Sequence, residues 1–282
     1  MHRSGTSAIT RAINFLGAYL GEEAELMPAT PENSEGYWER TDLWHFHDRL
    51  LRSLGRNWET PDPLPPNWHK SWRVRRYRKE LKNLVSTQLA IRPLWAWKDP
   101  RTCLLLPLWR DVLAELGVEL VCLFAIRHPL EVANSLNKRN NFSLELGLDI
   151  WFNYNLSALL GAERLTIAFL SYNRFLENWE SELKGAALRL GLTWPEDPQI
   201  LREAMKDFLR PDLRHNMCSS EALLSVPPPI QELHNLLLKM LGSAPPEQWQ
   251  HDLSRLQNDY QKYTSIHKSA RGSSEMPMPH LC

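Results

Sequence analysis

Three short apolar runs constrain this chain more than any other feature. They are Leu94-Trp95-Ala96-Trp97, Leu120-Val121-Cys122-Leu123-Phe124-Ala125-Ile126 and Leu165-Thr166-Ile167-Ala168-Phe169-Leu170. Each has the length of a strand, and continuous apolar character is what a strand buried on both faces requires. Helical spacing fills the intervals, over residues 8–20, 102–116, 130–139, 143–161 and 174–190. In the first of these, Ala8, Ile9, Ala12, Ile13 and Leu16 share one face. Strands alternating with helices predict an α/β fold built on a parallel sheet with helices on both faces.

The rest of the chain is arranged around that unit. Residues 22–66 are rich in proline, tryptophan and charge, with one helix-like stretch near 41–54. They read as a cap over the sheet edge, a usual place for an acceptor to bind in open α/β folds. Residues 227–265 carry two further helical patterns after Pro227-Pro228-Pro229. The expected organisation is a single domain over 1–265 and a polar, disordered tail over 266–282.

Composition narrows the function. The chain has 282 residues, enough for one sizeable core. Lys plus Arg and Asp plus Glu are equal at 33 each. That balance argues against general binding to nucleic acid or a membrane surface, although arginines can still gather locally at an anion. Cys103, Cys122, Cys218 and Cys282 form no CxxC pair and no metal-ligand spacing, so reduced thiols in a cytoplasmic protein are expected. The sequons at Asn141 and Asn155 have no secretory context and read as chance. The N-terminal residues lack the apolar core of a signal peptide, and no apolar stretch reaches the roughly 18–20 residues of a membrane span.

Chemistry gathers at a loop and at the ends of the three runs. His2-Arg3-Ser4-Gly5-Thr6-Ser7 leads straight into the first helical pattern. A glycine-containing turn that opens a helix aims backbone N–H groups and the positive end of the helix dipole at an anion. Gly5 permits close approach, Ser4, Thr6 and Ser7 add hydroxyls, and Arg3 adds a planar cationic fork. The pattern is not G-x-x-x-x-G-K-[ST], and no apolar run ends in an Asp that could hold Mg²⁺. Metal-assisted phosphoryl transfer is therefore disfavoured, and no metal is expected. Lys98-Asp99-Pro100-Arg101 follows the first run. Arg127-His128-Pro129 follows the second, with Ser135 eight residues beyond Arg127, and Ser171-Tyr172 follows the third. Ligands of open α/β sheets bind outside the carboxyl ends of the strands. These positions together predict a ligand with at least two separated anionic groups.

The loop and the Arg127–Ser135 spacing resemble the sulfotransferase superfamily, most closely bacterial members that open on H-R-S-G-T-S. The resemblance covers roughly residues 1–215. It implies a P-loop-NTPase-like three-layer fold and a 3'-phosphoadenosine 5'-phosphosulfate (PAPS) donor. His2 to Ser7 would cradle the 5'-phosphosulfate, and Arg127 with Ser135 the 3'-phosphate. Tyr172 would help hold the nucleotide, and the segment containing Arg214 would return to it as a basic arm does in the family. The implied reaction moves a sulfuryl group to an acceptor hydroxyl or amine, with a glycan favoured as acceptor. Arg3 and Lys98 would stabilise charge on the bridging oxygen. Glu39, in a run similar to the family's N-x-x-G-x-W-E, is the first choice of base, in competition with His45, His47 and Asp99.

Two departures accompany the resemblance. Ala8 stands where cytosolic members carry an adenine-stacking aromatic, leaving Trp38 and Trp97 as substitutes. The strand expected ahead of the loop is also absent from this chain, which predicts a gap in the sheet with unpaired backbone groups. Two rivals remain: a nucleotide- or glycan-binding protein of this fold without turnover, and a kinase, which would need a Lys after Gly5 and a carboxylate pair for Mg²⁺.

Overall fold

Two strands sort their side chains between two apolar cores. The computed structural model describes residues 1–30, 33, 36–209, 218, 220–242 and 249–272. Strand β1 (Val121–Ile126) pairs in parallel with β2 (Thr166–Ser171), with Val121 opposite Thr166 and Ile126 opposite Ser171. Successive side chains of a strand point to opposite faces. Cys122, Phe124, Ile126, Ile167 and Phe169 accordingly face one core, and Val121, Leu123, Ala125, Ala168 and Leu170 face the other. The protein is thus α/β, with a two-stranded parallel sheet between helical layers among the described residues.

The smaller core is closed by α1 (Thr6–Phe15), α7 (Tyr172–Glu177), α8 (Trp179–Arg189) and α9 (Gln199–Phe208), through Ile9, Phe175, Leu183 and Met205. The larger is closed by α2 (Thr41–Ser53), α3 (Arg75–Leu84), α4 (Thr102–Glu115), α5 (Pro129–Asn140), α6 (Leu144–Gly161), α10 (Pro228–Lys239) and α11 (Trp249–Gly272). Helices α5 and α6 approach closely because Gly147 has no side chain: a Cβ there would lie 2.8 Å from the Cα of Ala133.

Several expectations are corrected. The predicted helix over 8–20 stops at Phe15, where Gly17 turns with φ of 97° and the Asn14 side chain donates to the Ala18 carbonyl. The helix expected over 174–190 is broken at Asn178, whose side chain accepts from the Ser181 amide and caps α8. Residues 41–53 are not merely a cap. Leu43, Phe46, Leu50 and Leu51 of α2 are fully buried in the larger core, each stabilising the fold by roughly 1.5–3 kcal/mol. The polar stretch after Ser265 was expected to be irregular, yet α11 continues to Gly272. Residues 273–282 lie outside the described residues.

The run at 94–97 is extended but forms only an isolated parallel bridge, Trp95 to Tyr19. Tyr19 donates to the Leu94 carbonyl at 3.1 Å and accepts from Ala96 at 2.9 Å. A cavity of about 680 Å³ lies between this segment and β1, lined by Leu94, Ala96, Val121, Leu123, Ile9 and Met1 among others. Arg92, Lys98, Asp99 and Glu119 also line it.

Candidate functional site

The site is built around the turn that starts α1. Arg3 and Gly5 both hold positive φ, 58° and 75°. The first turn of α1 contains no acidic residue, and Gly5 offers no side chain to cap it. The leading N–H groups of a helix lack intrahelical acceptors, and with the dipole they form a receptor for an anion. Gly5 is required twice over. Its φ is one that residues with a Cβ resist, and a Cβ would fall 2.0 Å from the Tyr172 ring.

One group of predicted residues assembles on the β1 side of this turn. Arg3 Nε donates to Ser135 Oγ at 2.7 Å, and Arg127 Nη1 donates to the Arg3 carbonyl at 2.9 Å. The Arg127 guanidinium lies 5.0 Å from the centroid of the Tyr172 ring. Its Nε is held by Glu131 Oε2 at 2.9 Å, on the first turn of α5. Glu131 is completely buried and also accepts from Asn173 Nδ2 and the Cys218 amide.

A second group assembles on the other side. Lys98 Nζ donates to Glu39 Oε1 at 2.5 Å and to Ser7 Oγ at 3.3 Å. Ser7 Oγ in turn donates to the Tyr37 carbonyl and accepts from Asn33 Nδ2, each at 3.4 Å. Glu39 and Lys98 are 8% and 11% exposed, so the pair is held largely out of water. Burial raises the Glu39 carboxyl above the ordinary range, against the opposing pull of Lys98. A carboxyl whose proton affinity is raised in this way is suited to taking up a proton.

The competing bases divide clearly. His47 is fully buried and its ring is fixed from both ends: the Trp109 indole can only donate, and it donates to Nε2 at 2.8 Å, so Nδ1–H faces Asp99 Oδ2 at 2.9 Å. Asp99 also accepts from the Arg101 amide at 2.8 Å and from its guanidinium at 2.9 and 3.0 Å. Burial opposes ionisation of Asp99, but His47 and Arg101 outweigh it and hold the carboxyl below the usual carboxylate range. His47 and Asp99 are thus bonded to each other out of solvent, with Asp99 next to Lys98 in the chain. Trp97 is engaged as well, stacked on Trp109 at 4.0 Å with its indole donating to Thr102. Trp38 carries the Arg11 guanidinium 4.2 Å from its ring centroid.

The structure thus gathers Arg3, Ser7, Glu39, Lys98, Arg127, Ser135 and Tyr172 about one turn, with Ser4 buried in it and Thr6 opening the helix. Arg214 lies outside the described residues. Glu131 and Asn33 were missed. The first was legible as the i+4 partner of Arg127 across a helix start, and the second only through the turn that its side chain closes on the Gly36 carbonyl. Among the described residues, no three His, Cys, Asp or Glu side chains are grouped as a metal site needs, and no helix is long and apolar enough to cross a membrane. The fold and site define an α/β protein with a helix-start turn flanked by two cationic clusters. No protein family, curated protein or solved structure matches the chain.

Proposed function

We propose that the chain is a sulfotransferase of P-loop-like fold that takes its sulfuryl group from 3'-phosphoadenosine 5'-phosphosulfate. The observation that carries this reading is that two different cation-bearing clusters meet the two ends of one turn: Arg127 and Ser135 at Arg3, and Lys98 with Glu39 at Ser7. A donor with a 3'-phosphate and a 5'-phosphosulfate presents two anions that such a site can hold apart.

In this reading the amides that open α1 bind the 5'-phosphosulfate, and Arg127 and Ser135 bind the 3'-phosphate. Arg3 bonds Ser135, so it supports that second anion as well as the turn. Glu131 keeps the Arg127 fork oriented. Lys98 is poised over Ser7, where it can neutralise charge that builds on the bridging oxygen as the sulfur–oxygen bond breaks. Glu39, raised by burial, accepts the acceptor's proton as the new bond forms. The acceptor is an alcohol or amine, with a glycan favoured by the aromatic residues of the cap.

The test is calorimetric titration with adenosine 3',5'-bisphosphate without added metal. Micromolar binding by the wild type and its loss in Arg127→Ala are expected. Ser135→Ala should weaken binding without disturbing the buried Arg127–Glu131 pair. A folded wild type that binds no bisphosphate would overturn the reading. Binding without transfer to any alcohol or amine would instead favour a binding protein of the same fold.

A further inference from the structure

Helix α3 turns an uncompensated row of cations to solvent. Val74 and Leu81 are fully buried and fix the helix on the larger core. Positions three and four apart share a helix face, so Arg75, Arg76, Lys79 and Lys82 stand together on the opposite side. Lys70 and Arg73 precede them in the two short turns that lead into the helix. Of these cations only Lys82 has an ion pair among the described residues, at 3.7 Å to Glu115. The acidic groups of α3, and of α4 packed against it, are already engaged: Glu80 with Arg49, and Asp111 and Glu115 with Arg78. The first turn of α3 has no acidic residue and begins with two arginines. Cations are disfavoured at a helix N-terminus, and an anion placed there offsets both the dipole and the arginines. Trp72 stands at the same end, 71% exposed, with the Arg73 guanidinium 5.7 Å from its ring centroid. It is the only aromatic among the exposed large apolar side chains of the described residues.

We propose that the start of α3 is a docking surface for an anionic lipid bilayer. Lys70, Arg73, Arg75, Arg76 and Lys79 meet the headgroup phosphates, and Trp72 enters the headgroup layer beside them. Charge complementarity calls for an anionic partner, and Trp72 calls for a bilayer. Tryptophan is favoured where an apolar ring sits beside polar headgroups, and each nearby Lys or Arg strengthens attachment to anionic lipid. A single-stranded nucleic acid would need aromatic platforms for successive bases, and this surface offers Trp72 alone. The equal totals of acidic and basic residues conceal the patch, because its cations are balanced by acids elsewhere in the chain. The patch is separate from the turn that starts α1. Gln88, which bonds Arg40 beside Glu39, lies beyond the other end of α3, roughly 20 Å from Arg75 at a rise of about 1.5 Å per residue.

The test is co-sedimentation of the full chain with vesicles of phosphatidylcholine, alone or with about one third phosphatidylglycerol, in about 0.1 M salt. Binding to the anionic vesicles and not to the neutral ones is expected, with release as the salt is raised to about 0.5 M. Arg75→Gln, Arg76→Gln and Lys79→Gln together should weaken binding about 100-fold, since each cation near an anionic surface contributes about fivefold. These side chains are exposed and unpaired, so the melting temperature should stay that of the wild type. Lys184→Gln, Arg189→Gln and Lys206→Gln on α8 and α9 make the same change in net charge and should leave binding unchanged. Trp72→Ser should weaken binding roughly tenfold at constant charge. Equal sedimentation with neutral and anionic vesicles would overturn the proposal, and so would equal losses in the two triple variants. Tighter binding of a single-stranded oligonucleotide than of the anionic vesicles, lost in the α3 variant, would overturn it in favour of a nucleic-acid surface.

Discussion

Gly5 sits against the Tyr172 ring, and this contact shows how little freedom the turn has. Gly5→Ala places a methyl group inside the ring's space at a φ of 75°. Backbone strain alone costs on the order of 1–3 kcal/mol. The expected outcome is loss of bisphosphate binding in titration, together with a lower melting temperature. Glu39 and Lys98 act on the other side of the turn. Glu39→Gln keeps the shape but removes the proton acceptor, and should lower transfer by roughly 10²–10⁴-fold in a sulfuryl-transfer assay. Lys98→Met should lower it by roughly 10²–10³-fold. In both, bisphosphate binding should persist, which separates a defect in transfer from a collapsed site. The motif residues were legible because each follows an apolar run or opens a helix. The i+4 spacing from Arg127 showed that Glu131 could pair with it, but not that the carboxylate is buried; that is decided by Asn173 and Cys218, far away in the chain.

At the level of elements, the start of α5 gathers buried ionisable groups: His128, Glu131 and, on α10, His234. His128 caps it through Nδ1, which accepts from the Leu130 amide at 3.3 Å, so its proton rests on Nε2. That atom and His234 Nδ1 on α10 are buried without partners among the described residues, with the two rings 5.1 Å apart. Burial, reinforced by His128, pushes His234 down to about 4. The unfolded chain therefore binds a proton near pH 6.5 that the folded chain refuses until about pH 4. Both forms are neutral above that window, so stability is full there and falls as the pH drops through it, by roughly 3 kcal/mol for this residue. Denaturant unfolding at pH 7 and pH 5 should show the loss, and His234→Leu should flatten it. Removing Glu131 acts on the same helix start differently: Glu131→Ala strands Arg127 in a buried place and should cost about 3–5 kcal/mol at neutral pH. The element pattern itself was largely readable from apolar spacing. The break at Asn178 was not, because a single Asn can cap a new helix or sit within an old one, and tertiary packing of Phe175 and Leu183 decides.

For the whole molecule, the sequence anticipated three buried parallel strands flanked by helices, and two of them pair. It overstated the run at 94–97, whose apolar side chains read as a strand although its backbone has only Tyr19 to pair with. Pairing is a property of neighbours, and no residue in the run could reveal that one neighbour is a void. The same void is bordered by Trp95 and Trp97, whose ring centroids are 5.4 Å apart, while Trp97 stacks on Trp109 at 4.0 Å. Three indoles this close share their electronic transitions, and their coupling depends on mutual angle. Lys98 is the next residue along the backbone from Trp97, so a ligand that shifts the lysine is expected to change the angles between these rings. The protein thereby carries a native optical gauge, readable as a change in near-ultraviolet circular dichroism without any label.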